Sequence, residues 1–98
     1  MPVVLIARWE GDVARLKAAY DRAHELIVES GGPPGELRHH CAIGDGALYV
    51  IGVWESKEIL LRRFSSSEFE TALASSGFPS PKEADVTILE LHAIEPPL

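Results

Sequence analysis

The residues best suited to proton chemistry are the histidines at positions 24, 39, 40 and 92. An imidazole ionises near neutrality, so it can take or give a proton under ordinary conditions. His39, His40 and Cys41 follow one another directly. Neighbours on a strand point to opposite faces, so His39 and His40 cannot grip one ion together. His39 and Cys41 share a face but need two further ligands, and His24 is the one candidate left. No metal is expected, and Cys41 reads as a small buried thiol. Side chains two apart on a strand share a face. Read that way, one sheet face gathers Arg8, Arg38 with His40, and Glu90 with His92. Arg8 is expected opposite Glu90. There His40 and His92 would move the proton of an enolisable or phenolic substrate, and Arg8 would steady the oxyanion formed. The structural alternative is a cross-strand Arg8–Glu90 ion pair with histidines satisfied by their neighbours. Tyr20, Tyr49 and Trp54 are the candidates for contacting a substrate, although such aromatics more commonly pack a core.

These residues need elements to hold them. Val3 to Trp9 has the β-branched, aromatic-ended composition of a strand. Gly11-Asp12 breaks it, and Asp12 can cap the helix that follows. Val13, Leu16, Tyr20, Ala23 and Ile27 recur at spacings of three and four, a single helical stripe. Gly31-Gly32-Pro33-Pro34-Gly35 ends that helix. This run follows a helix and has no Lys-Ser/Thr after it, so it is a connector and not a phosphate loop. Leu37–Ile43 and Ala47–Trp54 flank Gly44-Asp45-Gly46 as a hairpin. Ser56 caps a helix over Lys57–Phe64. Ser65 with Glu68 fits a capping box that restarts a helix over Ser67–Ser76, stopped by Gly77. Val86–Ile94 is the last strand. The order is βαββαβ.

That order makes a four-stranded antiparallel sheet with its helices on one face, an α+β ferredoxin-like arrangement over residues 1–98 as one domain. A sheet with one wet face alternates apolar and polar residues. Here Val4 and Ile6 are as apolar as Val3, Leu5 and Ala7, and Ala47, Ile51 and Val53 as apolar as Leu48 and Val50. One chain covers one face. The other is expected to be covered by a second copy in a homodimer, because Pro96-Pro97-Leu98 is too short to fold back over it.

Composition narrows the partners. With 46% hydrophobic and 24% charged residues the chain is globular. A net charge of −6 argues against nucleic acid or an anionic membrane as partner. No apolar run is long enough to span a bilayer, and a single cysteine suits a reducing compartment, so a cytoplasmic location is expected.

The βαββαβ order, the Pro34-Gly35 entry to the second strand, the His40 strand and the Val53-Trp54-Glu55-Ser56 junction together resemble the dimeric α+β barrel superfamily. It includes antibiotic-biosynthesis-type monooxygenases, haem-degrading monooxygenases, stress-responsive proteins and uncharacterised small members. The resemblance implies a homodimer with a cavity for a small apolar or aromatic molecule. If the chain is an enzyme, it implies a cofactor-independent monooxygenase or isomerase acting on an aromatic or polyketide-like substrate. The alternative is a non-catalytic binding or stress-response protein. The Asn–Trp–His set of the haem-degrading members is not matched: the first strand carries Arg8 and no Asn, and the second helical region has Phe64 and Leu73 where Trp and His would stand. Met1-Pro2-Val3-Val4 is also similar to the opening of tautomerases, in which a desolvated terminal Pro2 would serve as base.

Overall fold

A computed structural model describes residues 1–32 and 34–98; Pro33 of the connector lies outside the described residues. Strand β1 (Val3–Glu10) leads into helix α1 (Val13–Glu29). Asp12 caps the helix, its carboxylate accepting from the Ala14 and Arg15 N–H groups at 3.0 and 3.3 Å; such a cap contributes roughly 1 kcal/mol. Strands β2 (Glu36–Gly44) and β3 (Ala47–Trp54) form the hairpin, and Gly46 there takes a left-handed φ of 72°. Helices α2 (Lys57–Phe64) and α3 (Ser67–Ser76) follow, then a 3₁₀ turn (Pro81–Glu83) and β4 (Asp85–Glu90).

The sheet is antiparallel with order β2-β3-β1-β4. All three helices lie on one side. Leu5, Ala7 and Trp9 of β1 and Leu48 and Trp54 of β3 are buried against Leu16, Ala19 and Ala23 of α1, Leu60 of α2 and Leu73 of α3. This is the α+β, ferredoxin-like arrangement the element order predicts, with the second helix split in two. The split differs in detail from the expected capping box. Ser65 closes α2, and Ser66 caps α3 by accepting from the Phe69 N–H at 3.2 Å. A capping box does form later, between Ser80 and Glu83.

Strand β4 stops at Glu90 and not at Ile94. Glu90 pairs with Val3, the first residue of β1. Beyond it stands Pro2, which has no N–H to donate, and the ladder ends with the Leu91 N–H donating to the Pro2 carbonyl at 3.0 Å. Residues 91–98 are thereby released as a tail. They can reach up to about 26 Å, whereas the three strand spacings across the sheet total only about 14 Å. The tail does cross: the Pro97 carbonyl accepts from the Arg38 guanidinium on β2, at 3.3 Å. Arg38 pairs with Val53, which pairs with Val4, and these three face away from the helices. Val53 is buried although no helix packs there. The expectation that the tail cannot return over this face is therefore corrected. Val4, Ile6 and Ile51 on the same face are only partly buried, and Leu89 is 51% exposed.

Candidate functional site

Between the helices and the sheet lies an apolar cavity of about 130 Å³. That is close to an engineered cavity of ~150 Å³ that accepts benzene. Its wall is built by Trp9 and Trp54 from the sheet, by Phe64 and Phe69 from α2 and α3, and by Phe78 beyond α3. Phe64 and Phe69 stack at 5.6 Å across the Ser65-Ser66 break, so splitting the second helix turns two aromatic rings inward. The Trp9 Nε1–H donates to the Ser80 carbonyl at 3.1 Å, which makes Trp9 a packing residue with its one donor satisfied.

Apart from Arg63 and His24, the polar side chains of this wall are linked in one chain. The Tyr20 hydroxyl on α1 lies 2.6 Å from His39 Nε2, and His39 Nδ1 lies 3.0 Å from Glu36 Oε2, both on β2. A carboxylate only accepts, so in the neutral imidazole Nδ1 carries the proton and Nε2 accepts from Tyr20. The hydrogen bonds thus have a defined direction, Tyr20 donating to His39 and His39 to Glu36, an arrangement in which Glu36 would stabilise an imidazolium. The Glu36 side chain is 11% exposed and His39 29%, so the imidazole is the more open of the two. Burial pushes the Tyr20 phenol up from 10.0 to about 12, with Cys41, Glu36 and Asp21 adding to the effect. Tyr20 therefore stays protonated at neutrality as the donor to His39 and is not itself a phenolate base. Burial raises the Cys41 thiol as well, which leaves it a poor nucleophile. The rings of His24, Tyr20 and His39 lie nearly parallel and fix one another's orientation.

Glu36 joins His39 because of an irregularity. Residues three apart on a regular strand face opposite ways. The pairing of β2 with β3 shifts between Glu36 and Arg38, where Leu37 is the extra residue. This bulge turns Glu36 onto the helix side beside His39. Gly52 of β3 stands opposite His39. A Cβ there would lie 2.9 Å from Glu36 Oε2 and 3.0 Å from Trp54 Nε1, so only glycine leaves the room these two atoms use. Trp54 Nε1 and Arg63 Nε, from two residues that line the cavity, are buried with no hydrogen-bond partner among the described residues.

Of the residues expected to act on or contact a substrate, Tyr20 and Trp54 line the cavity and Arg8, His40, Tyr49, Glu90 and His92 do not. Tyr49 faces the opposite side of the sheet, where its hydroxyl accepts from Arg8 Nε at 3.1 Å. Arg8 is not opposite Glu90. The register places it against Asp85, with Glu90 five residues away beside Val3. Arg8 pairs with Glu10 at 2.8 Å and Asp85 at 3.7 Å, and Glu10 and then Tyr49 raise its pKa. His40 pairs with Ile51 on the face of Arg8, one strand beyond Tyr49, and is exposed. Glu90 closes β4 with the parity of the helix side, and His92 is exposed in the tail. The expected Arg8–His40–Glu90–His92 cluster is thus dispersed over both faces and one edge. Pro2 does not line the cavity.

No family model matches the chain, and no curated protein matches it in sequence. Solved structures do. Rv0793 from Mycobacterium tuberculosis superposes with a TM-score of 0.69 at 18% identity, covering 97% of this chain and 99% of that one. SnoaB, a cofactor-independent oxygenase from Streptomyces nogalater, gives 0.69 at 16% identity over 98% of both chains. A proposed antibiotic biosynthesis monooxygenase from Caulobacter crescentus gives 0.71 at 16%, covering 94% and 91%. The fold is that of the antibiotic-biosynthesis monooxygenase-like proteins. At these identities the fold is what is shared, and it agrees with the resemblance carried by the βαββαβ order. Within the monooxygenase-like fold, the chemistry of this chain has to be read from its own Tyr20, His39 and Glu36. No helix among the described residues is long and apolar enough to cross a membrane.

Proposed function

We propose that this protein binds a small aromatic molecule with an acidic C–H or O–H in the sheet–helix cavity and oxygenates it without a cofactor. The single observation that carries the reading is the Tyr20–His39–Glu36 chain on the wall of a mainly apolar cavity. The likeness to the cofactor-independent oxygenase SnoaB supports the reaction class. An activated methylene loses a proton to the Tyr20 hydroxyl as Tyr20 passes its own to His39 Nε2. The carbanion gives one electron to dioxygen, and the two radicals combine to a peroxide at carbon, which takes the proton back. Loss of the second C–H proton and cleavage of the O–O bond leave a carbonyl and water. The methylene supplies all four electrons that dioxygen accepts, so no external reductant enters.

The working form is a homodimer paired through the partly buried face of Val4, Ile6 and Ile51, which one chain covers only at the end its tail crosses. A cytoplasmic setting fits the lone cysteine. The test is oxygen uptake with benzoylacetone, a single-ring compound with an activated methylene. One dioxygen consumed per product, without added metal, flavin or haem, is the expected result. Binding without uptake selects the second reading, a carrier or stress-response binder, which the almost wholly apolar lining favours. Sedimentation velocity at micromolar concentration tests the pairing, and a single-subunit mass would remove it.

A further inference from the structure

Arg63 is the one Lys or Arg side chain on the cavity wall. Its guanidinium carbon sits 5.2 Å above the Phe69 ring, and its Nε–H is shut away from water without an acceptor. Among the described residues no carboxylate lies within ion-pair distance of it. Of the nine Lys and Arg residues only Arg8 has such a partner among the described residues, so it is the buried, unanswered Nε that sets Arg63 apart. The Glu36 carboxylate on the same wall is already engaged by His39. Arg63 and Ile27 also line an outer groove between α1 and α3, where Glu68 is the acidic residue. Each side thus has one carboxylate, Glu68 outside and Glu36 inside; Glu36 is hydrogen-bonded to His39, and the enclosure of the inner side is what favours it. A guanidinium with one edge desolvated and no counter-charge is completed by an acceptor that carries charge. The space beside it is apolar and about one ring in size.

We infer that Arg63 reads a carboxylate on the ligand, so that the molecule held in the cavity is a single-ring aromatic acid whose ring packs against Phe64 and Phe69. This rests on the cavity being the ligand site, as proposed above, and goes beyond it by assigning the ligand's charge and the residue that selects it.

Trp9 and Trp54 line the cavity, so tryptophan fluorescence reports occupancy. Benzoate and its neutral counterpart benzyl alcohol are titrated into the wild type, Arg63→Gln and Arg63→Lys. The wild type is expected to bind benzoate about tenfold more tightly. Arg63→Gln should equalise the two, and Arg63→Lys should keep part of the preference. Salt raised well above about 0.15 M should weaken benzoate and leave benzyl alcohol unchanged; this arm needs no variant and decides the matter if Arg63→Gln does not fold. Equal affinities in the wild type, or a preference that survives in a folded Arg63→Gln protein, overturn the assignment. If benzyl alcohol binds and benzoate does not, Arg63 has no such role while the cavity reading stands. If neither ligand perturbs the tryptophans, both fall together.

Discussion

The two faces of the sheet carry similar amounts of apolar side chain and put their polar groups to opposite uses. On the helix side, Tyr20, His39 and Glu36 are linked in one direction around a cavity, and two buried N–H donors remain unanswered. On the other side, Arg8 is answered at once by Glu10, Tyr49 and Asp85, and His40 stands in solvent. A satisfied network holds a surface together, whereas an incompletely satisfied one beside a cavity leaves something for a ligand to complete. Abundance of chemical groups is therefore a poor guide to a site; enclosure and an unspent valence are better ones.

Exchanging the two histidines' fates breaks this contrast most directly. His39→Gln should lower turnover of benzoylacetone by about a hundredfold or more, while His40→Gln leaves it within a few-fold; oxygen-electrode rates decide. Equal losses would mean that the faces do not differ as described. The apolar layers come next. Leu5, 2% exposed under the helices, should cost roughly 2–5 kcal/mol when cut to Ala. Ile6→Ala, on the opposite face, should cost less in dilute protein and more as concentration rises and a second copy covers it. Chemical denaturation at two concentrations measures both.

A smaller effect sharpens the comparison through pH. The Tyr20 phenol is raised from 10.0 to about 12 in the folded state. Between those values the folded chain keeps a proton that the unfolded chain has lost, so stability falls as pH rises through that window. Tyr20→Phe should flatten that stretch of the stability–pH curve. The smallest effect belongs to Arg8: Arg8→Met should leave the denaturation midpoint and the oxygen-uptake rate unchanged within error, because exposed ion pairs contribute little.

Much of the fold was legible because its signals are local or periodic. The α1 stripe, the Asp12 cap, the hairpin and the split second helix all follow from spacing and turn residues. Parity also separated His39 from His40, and the helical stripe carried Tyr20. Glu90 was misplaced because register between β1 and β4 is set by where the ladder runs out at Pro2, a long-range fact that no local spacing carries. Glu36 was missed because strict alternation from His39 puts it on the wrong face. The available signal was Gly52: a glycine inside an otherwise β-branched strand marks a bulge or a close approach, and here it marks both.

The extra residue at Leu37 has a consequence for how this protein can vary. A strand assigns sides by odd and even, and the bulge lets one residue be skipped in that count. Losing Leu37 would leave Glu36 two residues from His39 and still on the helix side of a regular strand. Straightening the strand with Leu37 kept would instead carry the carboxylate to the far side of the sheet with all three partners chemically intact, so the link depends on the path of the backbone there and not on which residues are present.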